Sequence, residues 1–304
     1  MGSVLSADPH WQSASSLLVG DAPSDLLRES VCLLGAHSYL TSLTPRSPRS
    51  TPAAVRGALA RYSTWSFEDG VDLAEVVAVR DVGDVAHPDS AQGTQEMLAA
   101  FESAPAAFWI LLGGDNALTW RALGALARGR LERWGLITLD AHLDVRDGQS
   151  NGSPVRQLLD EGLSGAHVVQ VGLADFSNSA AYAKRALDAG VTAITRERVR
   201  TAGVAAAAAQ ALRIAGEGGR PIYVDIDMDV CDRSVVPGCP SAAPGGLSAV
   251  ELREFVRLLC AHPQVRALDV TEIDVECDAP DERTVRLAAL VVLEALAGYV
   301  RRDT

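Results

Sequence analysis

The stretch Tyr223-Val-Asp-Ile-Asp-Met-Asp-Val-Cys-Asp232 begins apolar and turns acidic at every second residue as it ends. Side chains alternate between the two faces of a strand, so Asp225, Asp227 and Asp229 would stand together in like-charge contact. A cation is needed to hold them. A second apolar run, Leu136 to Leu139, leads into Asp140-Ala-His-Leu-Asp144 with the same every-second-residue spacing and an added imidazole. Two carboxylate-rich strand ends in one chain predict a shared metal site.

Outward from these two runs, strand-like and helix-like segments alternate. Strands are predicted at Val31 to Gly35, Val76 to Val79, Phe108 to Leu112, Leu136 to Leu139, Val168 to Val171, Val191 to Ile194, Ile222 to Ile226 and Val265 to Val270. Helices are predicted from Thr51-Pro52, with Thr51 as cap, and at Thr94 to Ser103, Leu118 to Ala127, from Val155, and at Ala180 to Leu187. Three more follow at Val204 to Ile214, Ala249 to Leu259 and Glu282 to Val300. About eight strands separated by helices make the class α/β, a parallel sheet covered on both faces. Alternation alone leaves an open sheet and a closed barrel both standing. In either, ligands bind just beyond the strands' carboxyl ends, where every acidic cluster of this chain falls. Residues 1 to 28 lack periodicity and read as a poorly ordered or loosely docked arm, and 29 to 304 as one catalytic domain. The segment Ser42 to Ser50 is rich in turn formers and basic residues, so it reads as a loop at a site mouth.

Composition narrows the function. Among 304 residues, 48% are apolar and 22% charged, the range of an ordinary globular protein. No apolar run is long enough to span a bilayer, and a cytoplasmic protein is expected. The formal net charge of -12 argues against nucleic acid or an anionic membrane as partner and favours a metal or cationic ligand. The five cysteines are odd in number and lack paired metal-binding spacing, as expected of reduced thiols. Cys231 and Cys239 have no base nearby in sequence, so neither is expected to be a nucleophile. His37, His87, His167 and His262 are isolated from acidic clusters and read as structural or surface residues; of these, His37 is the one placed after a strand where it could face the site.

Asp140, His142, Asp144, Asp227 and Asp229 offer four carboxylates and one imidazole. Hard oxygen donors with a minority of nitrogen suit Mn²⁺ better than structural zinc. Bridging carboxylates hold paired ions roughly 3.5 to 4 Å apart, and two ions are expected. A lone Asp after a strand is most often a cap or turn residue. Two clusters of this density are not explained that way.

Four motifs, Gly113-Gly-Asp-Asn116, Asp140-Ala-His-Leu-Asp144, Asp227-Met-Asp-Val-Cys-Asp232 and Asp269-Val-Thr-Glu272, resemble those of the ureohydrolase family in order and spacing. That family includes arginase, agmatinase and formimidoylglutamase, and the resemblance runs from about Val31 to Val300. It implies a three-layer α/β/α sandwich around a mainly parallel eight-stranded sheet, two Mn²⁺ per chain and hydrolysis of a linear amidine or guanidino C-N bond. It also implies a homotrimer or homohexamer. Residue by residue, Asp140 and Asp227 match bridging ligands, His142 and Asp229 ligands of one ion, and Asp144 a ligand of the other that also carries the proton. Glu272 matches the acid that holds the cationic group of the substrate, and Asp232 a structural aspartate. Most members have His where this chain has Asn116, so Asn116 is the expected but weaker ligand at that ion. Loop residues Arg146, Asn151 and Ser153 are expected at the substrate. Pro237-Gly-Cys-Pro240, Pro244-Gly-Gly246 and Thr284-Val-Arg-Leu-Ala288, with no histidine in the 150 to 154 loop, resemble the formimidoylglutamase branch most. That branch implies formimidoylglutamate as substrate and a place in histidine degradation. The alternatives are a guanidino substrate releasing urea or hydroxyurea, or a non-catalytic member with a degraded metal site.

Overall fold

The computed structural model describes residues 8, 10–20, 31–45, 50–104 and 106–303. In chain order the elements are β1 (Leu18–Val19), β2 (Val31–Ala36), α1 (Thr51–Leu59), β3 (Trp65–Ser66), β4 (Val71–Asp72), α2 (Leu73–Val76), β5 (Val79–Asp84), α3 (Ala91–Ser103), β6 (Phe108–Gly113) and α4 (Ala117–Ala127). They continue with β7 (Gly135–Leu139), α5 (Pro154–Asp160), β8 (Val168–Leu173), α6 (Ala180–Asp188), β9 (Thr192–Thr195), α7 (Arg196–Ala202), α8 (Val204–Ala215), β10 (Ile222–Asp227), α9 (Ala249–Cys260), β11 (Val265–Thr271) and α10 (Arg283–Val300).

Among the described residues nine strands form one sheet in the order β1-β5-β2-β6-β11-β10-β7-β8-β9, and every pairing in it is parallel. The sheet is open, which settles the choice between sheet and barrel. It contains the eight expected strands plus β1, two residues of the amino-terminal segment that pair with β5. Ahead of β1, Ala14 and Leu17 are buried against the core. Much of the segment read as an arm lies outside the described residues, as do residues 46 to 49 of the loop after β2.

The strands β2, β6, β7, β8 and β10 are buried along their whole length, as parallel strands covered on both faces must be. One apolar core lies between the sheet and α1, α8, α9 and α10, with Val55, Ala211, Phe255 and Val292 among its members. The opposite core includes Met97 and Phe101 of α3, Leu118 and Leu123 of α4, Leu158 of α5 and Ala186 of α6. Sequence chemistry starts the other expected helices within a residue or two of their expected positions, while α3 begins three residues before the expected Thr94, at Ala91 behind its Ser90 cap. Ser50, rather than Thr51, caps α1, accepting from the Ala53 amide at 3.3 Å with Pro52 in the first turn. Ser248 and Glu251 form a reciprocal capping box on α9.

One strand is displaced from its expected position. Val76 ends the short helix α2, and β5 begins at Val79 and runs on through Arg80, Asp81 and Asp84. Arg56 of α1 binds Asp81 and Asp84 at 2.7 and 2.6 Å, which lets acidic residues occupy a strand that hydropathy alone would place earlier. No helix among the described residues is long and apolar enough to cross a membrane.

Candidate metal centre

The four strands at the middle of the sheet, β6, β11, β10 and β7, deliver the expected site residues from their carboxyl ends. Asn116 caps α4 after β6, Glu272 follows β11, Asp227 ends β10, and Asp140 follows β7. Neighbouring strand ends bring side chains that are distant in sequence onto one rim.

Short local hydrogen bonds shape each acidic loop. The Asp140 Oδ1 accepts from the His142 amide at 2.6 Å, and an Asp227 oxygen accepts from the Asp229 amide at 2.8 Å. Asp229 Oδ1 accepts from the Ala141 amide at 3.0 Å, joining the two loops. Asp144 and Glu272 hold positive φ, 49° and 63°, a conformation non-glycine residues rarely adopt and one that concentrates at functional sites.

Two carboxylate sets result. The ligand atoms of Asp140, His142 and Asp229 lie within 4.8 Å of one another, as do those of Asp140, Asp144 and Asp227, with Asp140 common to both. Asp140 Oδ2 is buried and has no hydrogen-bond partner among the described residues. An orphaned carboxylate oxygen where two acidic sets meet fits a cation.

The electrostatics say the same. Burial, then repulsion from Asp229, pushes Asp140 up to about 7. Burial, then the charge of Asp140, holds Asp144 well above the ordinary range. Burial, then Asp229, does so for Asp227. Burial alone would lower His142, but its bonds to Asp140 and Asp229 outweigh this and raise it to about 11. Its Nδ1 sits 2.7 Å from Asp229 Oδ2, so a proton on the ring supplies charge that the carboxylates require. A divalent ion among them would supply more and return the imidazole to its neutral, ligating form.

Asp225 falls outside both sets. It lies opposite Asp269 on β11 and Thr138 on β7, and Thr138 lies opposite Gln170 on β8. This in-register polar row is buried beneath the rim. Burial, then the charge of Asp269, holds Asp225 well above the ordinary carboxylate range. Asp269 accepts from the Tyr223 hydroxyl at 2.7 Å and the Thr119 hydroxyl at 2.9 Å. The like-charge contact of Asp225 is thus across the sheet with Asp269, a pairing that alternation along one strand does not show, and it favours the protonated form of Asp225.

A cavity of about 280 Å³ opens over the carboxylates and is lined by His142, Asp144, Asp227, Asp229 and Glu272, with Arg146 and Asn151 on its wall. Leu43 and Thr44, from the loop expected at the mouth, also line it. Glu272 is buried, and its Oε1 accepts from the Asn116 amide and from Asn151 Nδ2, both at 2.9 Å. Ser153 is not in the lining. Its buried hydroxyl donates to the Ser150 carbonyl at 2.8 Å and accepts from the Ser150 amide at 2.9 Å, so it holds the loop's own shape.

Asn116 does not offer the cavity a ligand oxygen. Its Nδ2 lies 2.7 Å from Asp144 Oδ2, while Oδ1 accepts from the Thr271 hydroxyl at 3.2 Å and lies 2.8 Å from the Thr119 hydroxyl, whose one proton it shares with Asp269. In the absence of an ion the Asn116 amide thus faces Asp144 with its nitrogen.

Two contributors have no signal in the local sequence. Asn178, after β8, accepts from the Leu143 amide at 2.8 Å and donates to the Ala141 carbonyl at 3.0 Å, bracketing His142. Ser241 lines the cavity and donates to Glu272 Oε2 at 3.5 Å. Asp232 is the turn support that the motif implies, accepting from the Ser234 and Gly245 amides at 2.8 and 2.7 Å. His37 lies off the cavity and stacks on Tyr39. The cysteines are all free, and burial pushes the Cys231 thiol far up, against any nucleophilic role.

An open parallel sheet carrying paired carboxylate sets at its central carboxyl rim defines a metal-dependent hydrolase. Comparison with known proteins agrees. A sequence model of the arginase family matches residues 29–298. A formimidoylglutamase of Halalkalibacterium halodurans is 34% identical over 277 residues, covering 88% of this chain and 86% of that one. The crystal structure of formimidoylglutamase from Bacillus subtilis superposes with a TM-score of 0.88 at 31% identity, covering 98% and 96% of the two chains. A Trypanosoma cruzi formiminoglutamase with Mn²⁺ bound gives a TM-score of 0.81 at 25% identity, covering 90% and 94%. The chain belongs to the arginase family and is a hydrolase of amidine C-N bonds.

Proposed function

We propose that the chain hydrolyses N-formimidoyl-L-glutamate to L-glutamate and formamide, using two Mn²⁺ ions. Arg146 carries this reading. It lines the cavity and forms no ion pair among the described residues, so its guanidinium can take a substrate carboxylate in a bidentate grip. A cationic tail such as that of agmatine would be repelled there. Acid below and cation at the wall match a substrate with an amidine at one end and carboxylates at the other.

Asp140, His142 and Asp229 would hold one ion and Asp140, Asp144 and Asp227 the other. When bound, the ions make water nucleophilic at neutral pH and offset developing negative charge. Glu272 orients the cationic formimino group, its carboxylate kept in place by the Asn116 amide and Asn151. Asn116 Nδ2 occupies Asp144 Oδ2, leaving Asp144 to receive the attacking water's proton on Oδ1 and pass it to the leaving nitrogen. The water oxygen adds to the formimino carbon and the bond to the glutamate nitrogen breaks. Formamide keeps the imino nitrogen.

A panel of formimidoylglutamate, arginine, hydroxyarginine, agmatine and guanidinobutyrate, assayed with Mn²⁺, tests this. Formamide from the first is the expected product. Urea from a guanidino compound, with no formamide, would overturn it.

A further inference from the structure

At the amino ends of the same four central strands, opposite the metal centre, lies a second cleft of about 630 Å³. Trp109 of β6, Trp134 before β7, Pro221 before β10 and Arg266 of β11 line it, together with Arg128 and Arg130 beyond α4. Nothing in the reaction above uses it.

Its charge is the reverse of the molecule's. The chain carries 39 acidic against 27 basic residues, yet the lining holds three arginines and no carboxylate. The guanidiniums are weakly engaged. Arg130 has no side-chain hydrogen bond or ion pair among the described residues, Arg266 reaches only the Ala107 carbonyl at 3.4 Å, and Arg128 stands 3.9 Å from an exposed Glu102. An ion pair of that length at the surface contributes little. Three forked donors with unspent hydrogen-bonding capacity match phosphate oxygens.

Three aromatic side chains share the rest of the lining with small, aliphatic and proline residues and Gln264. Phe101 packs edge-on against Trp109, with centroids 4.7 Å apart, and the half-buried Trp134 adds a second indole to the lining. The volume falls within the range of small-molecule sites. We propose that this cleft binds an organic phosphate bearing a planar ring, of the nucleoside monophosphate kind, with the arginines on the phosphate and the half-buried Trp134 indole against the ring.

Isothermal titration calorimetry of the Mn²⁺-loaded enzyme with AMP, adenosine and inorganic phosphate tests the proposal. AMP should bind one per chain with a Kd of about 1 mM or below, and the two fragments at least about tenfold more weakly. Arg130→Gln and Arg266→Gln should each weaken AMP about tenfold or more, at unchanged Tm and formimidoylglutamate turnover. If phosphate alone binds as well as AMP, the ring has no role and the proposal fails. If AMP shows no saturable binding to about 5 mM the proposal is wrong, and a lowered Tm in the variants would then assign the arginines to offsetting the carboxyl ends of α4, α8 and α9.

Discussion

Replacing Asp140 with Asn should make the metal-free protein more stable and at the same time blind it to Mn²⁺. Asp140 is fully buried, and its carboxyl is raised from 3.8 to about 7 by burial and Asp229. At about 1.36 kcal/mol per unit, keeping it ionised at pH 8 costs roughly 4 kcal/mol. Asparagine removes that charge and offers its amide hydrogens to Asp144, Asp227 and Asp229. Because neighbouring carboxylates relax when one is neutralised, a net gain of about 2 to 4 kcal/mol is expected. For a chain of this size, with an unfolding entropy near 0.6 kcal/mol/K, that raises Tm by roughly 3 to 6 °C. Wild-type protein at Mn²⁺ about a hundredfold above Kd should gain about 2.7 kcal/mol per ion, or roughly 8 °C for two. Asp140 belongs to both ligand sets, so Asp140→Asn should lose the whole shift. Scanning fluorimetry at pH 8, with EDTA and then with excess Mn²⁺, reads both effects. A metal-free Asp140→Asn melting below wild type, or shifting with Mn²⁺ as wild type does, would refute the electrostatic account of the site.

Three further outcomes follow from other residues. Asn116→Ala should keep its Mn²⁺ content and lose about tenfold to a hundredfold in kcat, the worth of one hydrogen bond to a charged group; metal analysis showing one ion fewer would instead make Asn116 a ligand. Arg146→Gln should raise KM for formimidoylglutamate about tenfold or more with kcat little changed, as loss of binding common to ground and transition states does. The third concerns pH. Asp140 is held above its ordinary 3.8, at about 7, and His142 above 6.5, at about 11, so the folded metal-free chain keeps protons that the unfolded chain has lost. Its stability therefore falls as pH rises from about 4 through 7 and again from about 6.5 through 11. Mn²⁺ competes with those protons, so its Tm shift should grow between pH 5.5 and 8 and proton release should be measurable on binding.

The sheet was legible in the sequence because parallel strands buried on both faces are short apolar runs, and Phe108 to Leu112 or Val168 to Val171 resemble little else. The two-residue strands β1, β3 and β4 carry no periodicity and cannot be read that way. The helix α7 escaped notice because Val199 is its only buried residue, which leaves no apolar face to detect. At β5, the Arg56 contacts that stabilise Asp81 and Asp84 come from another element, so hydropathy placed the strand early.

The site divides along the same line. Asp140, His142, Asp144, Asp227 and Asp229 were legible because their spacing puts several charges where one strand end cannot tolerate them unaided. Asn178 and Ser241 act through single bonds made across loops, and Ser153 resembles a substrate residue until its hydroxyl is seen bonded within its own loop. Asn116 stands at the position of a ligand, and its contacts with Thr119, Thr271 and Asp144, none adjacent to it in sequence, could not be read there.

The most direct measurement titrates Mn²⁺ into metal-free enzyme while formamide release from formimidoylglutamate is followed. Activity that rises with added ion and saturates at two Mn²⁺ per chain is the predicted result. Full formamide release without Mn²⁺, or none at two ions per chain, would contradict it.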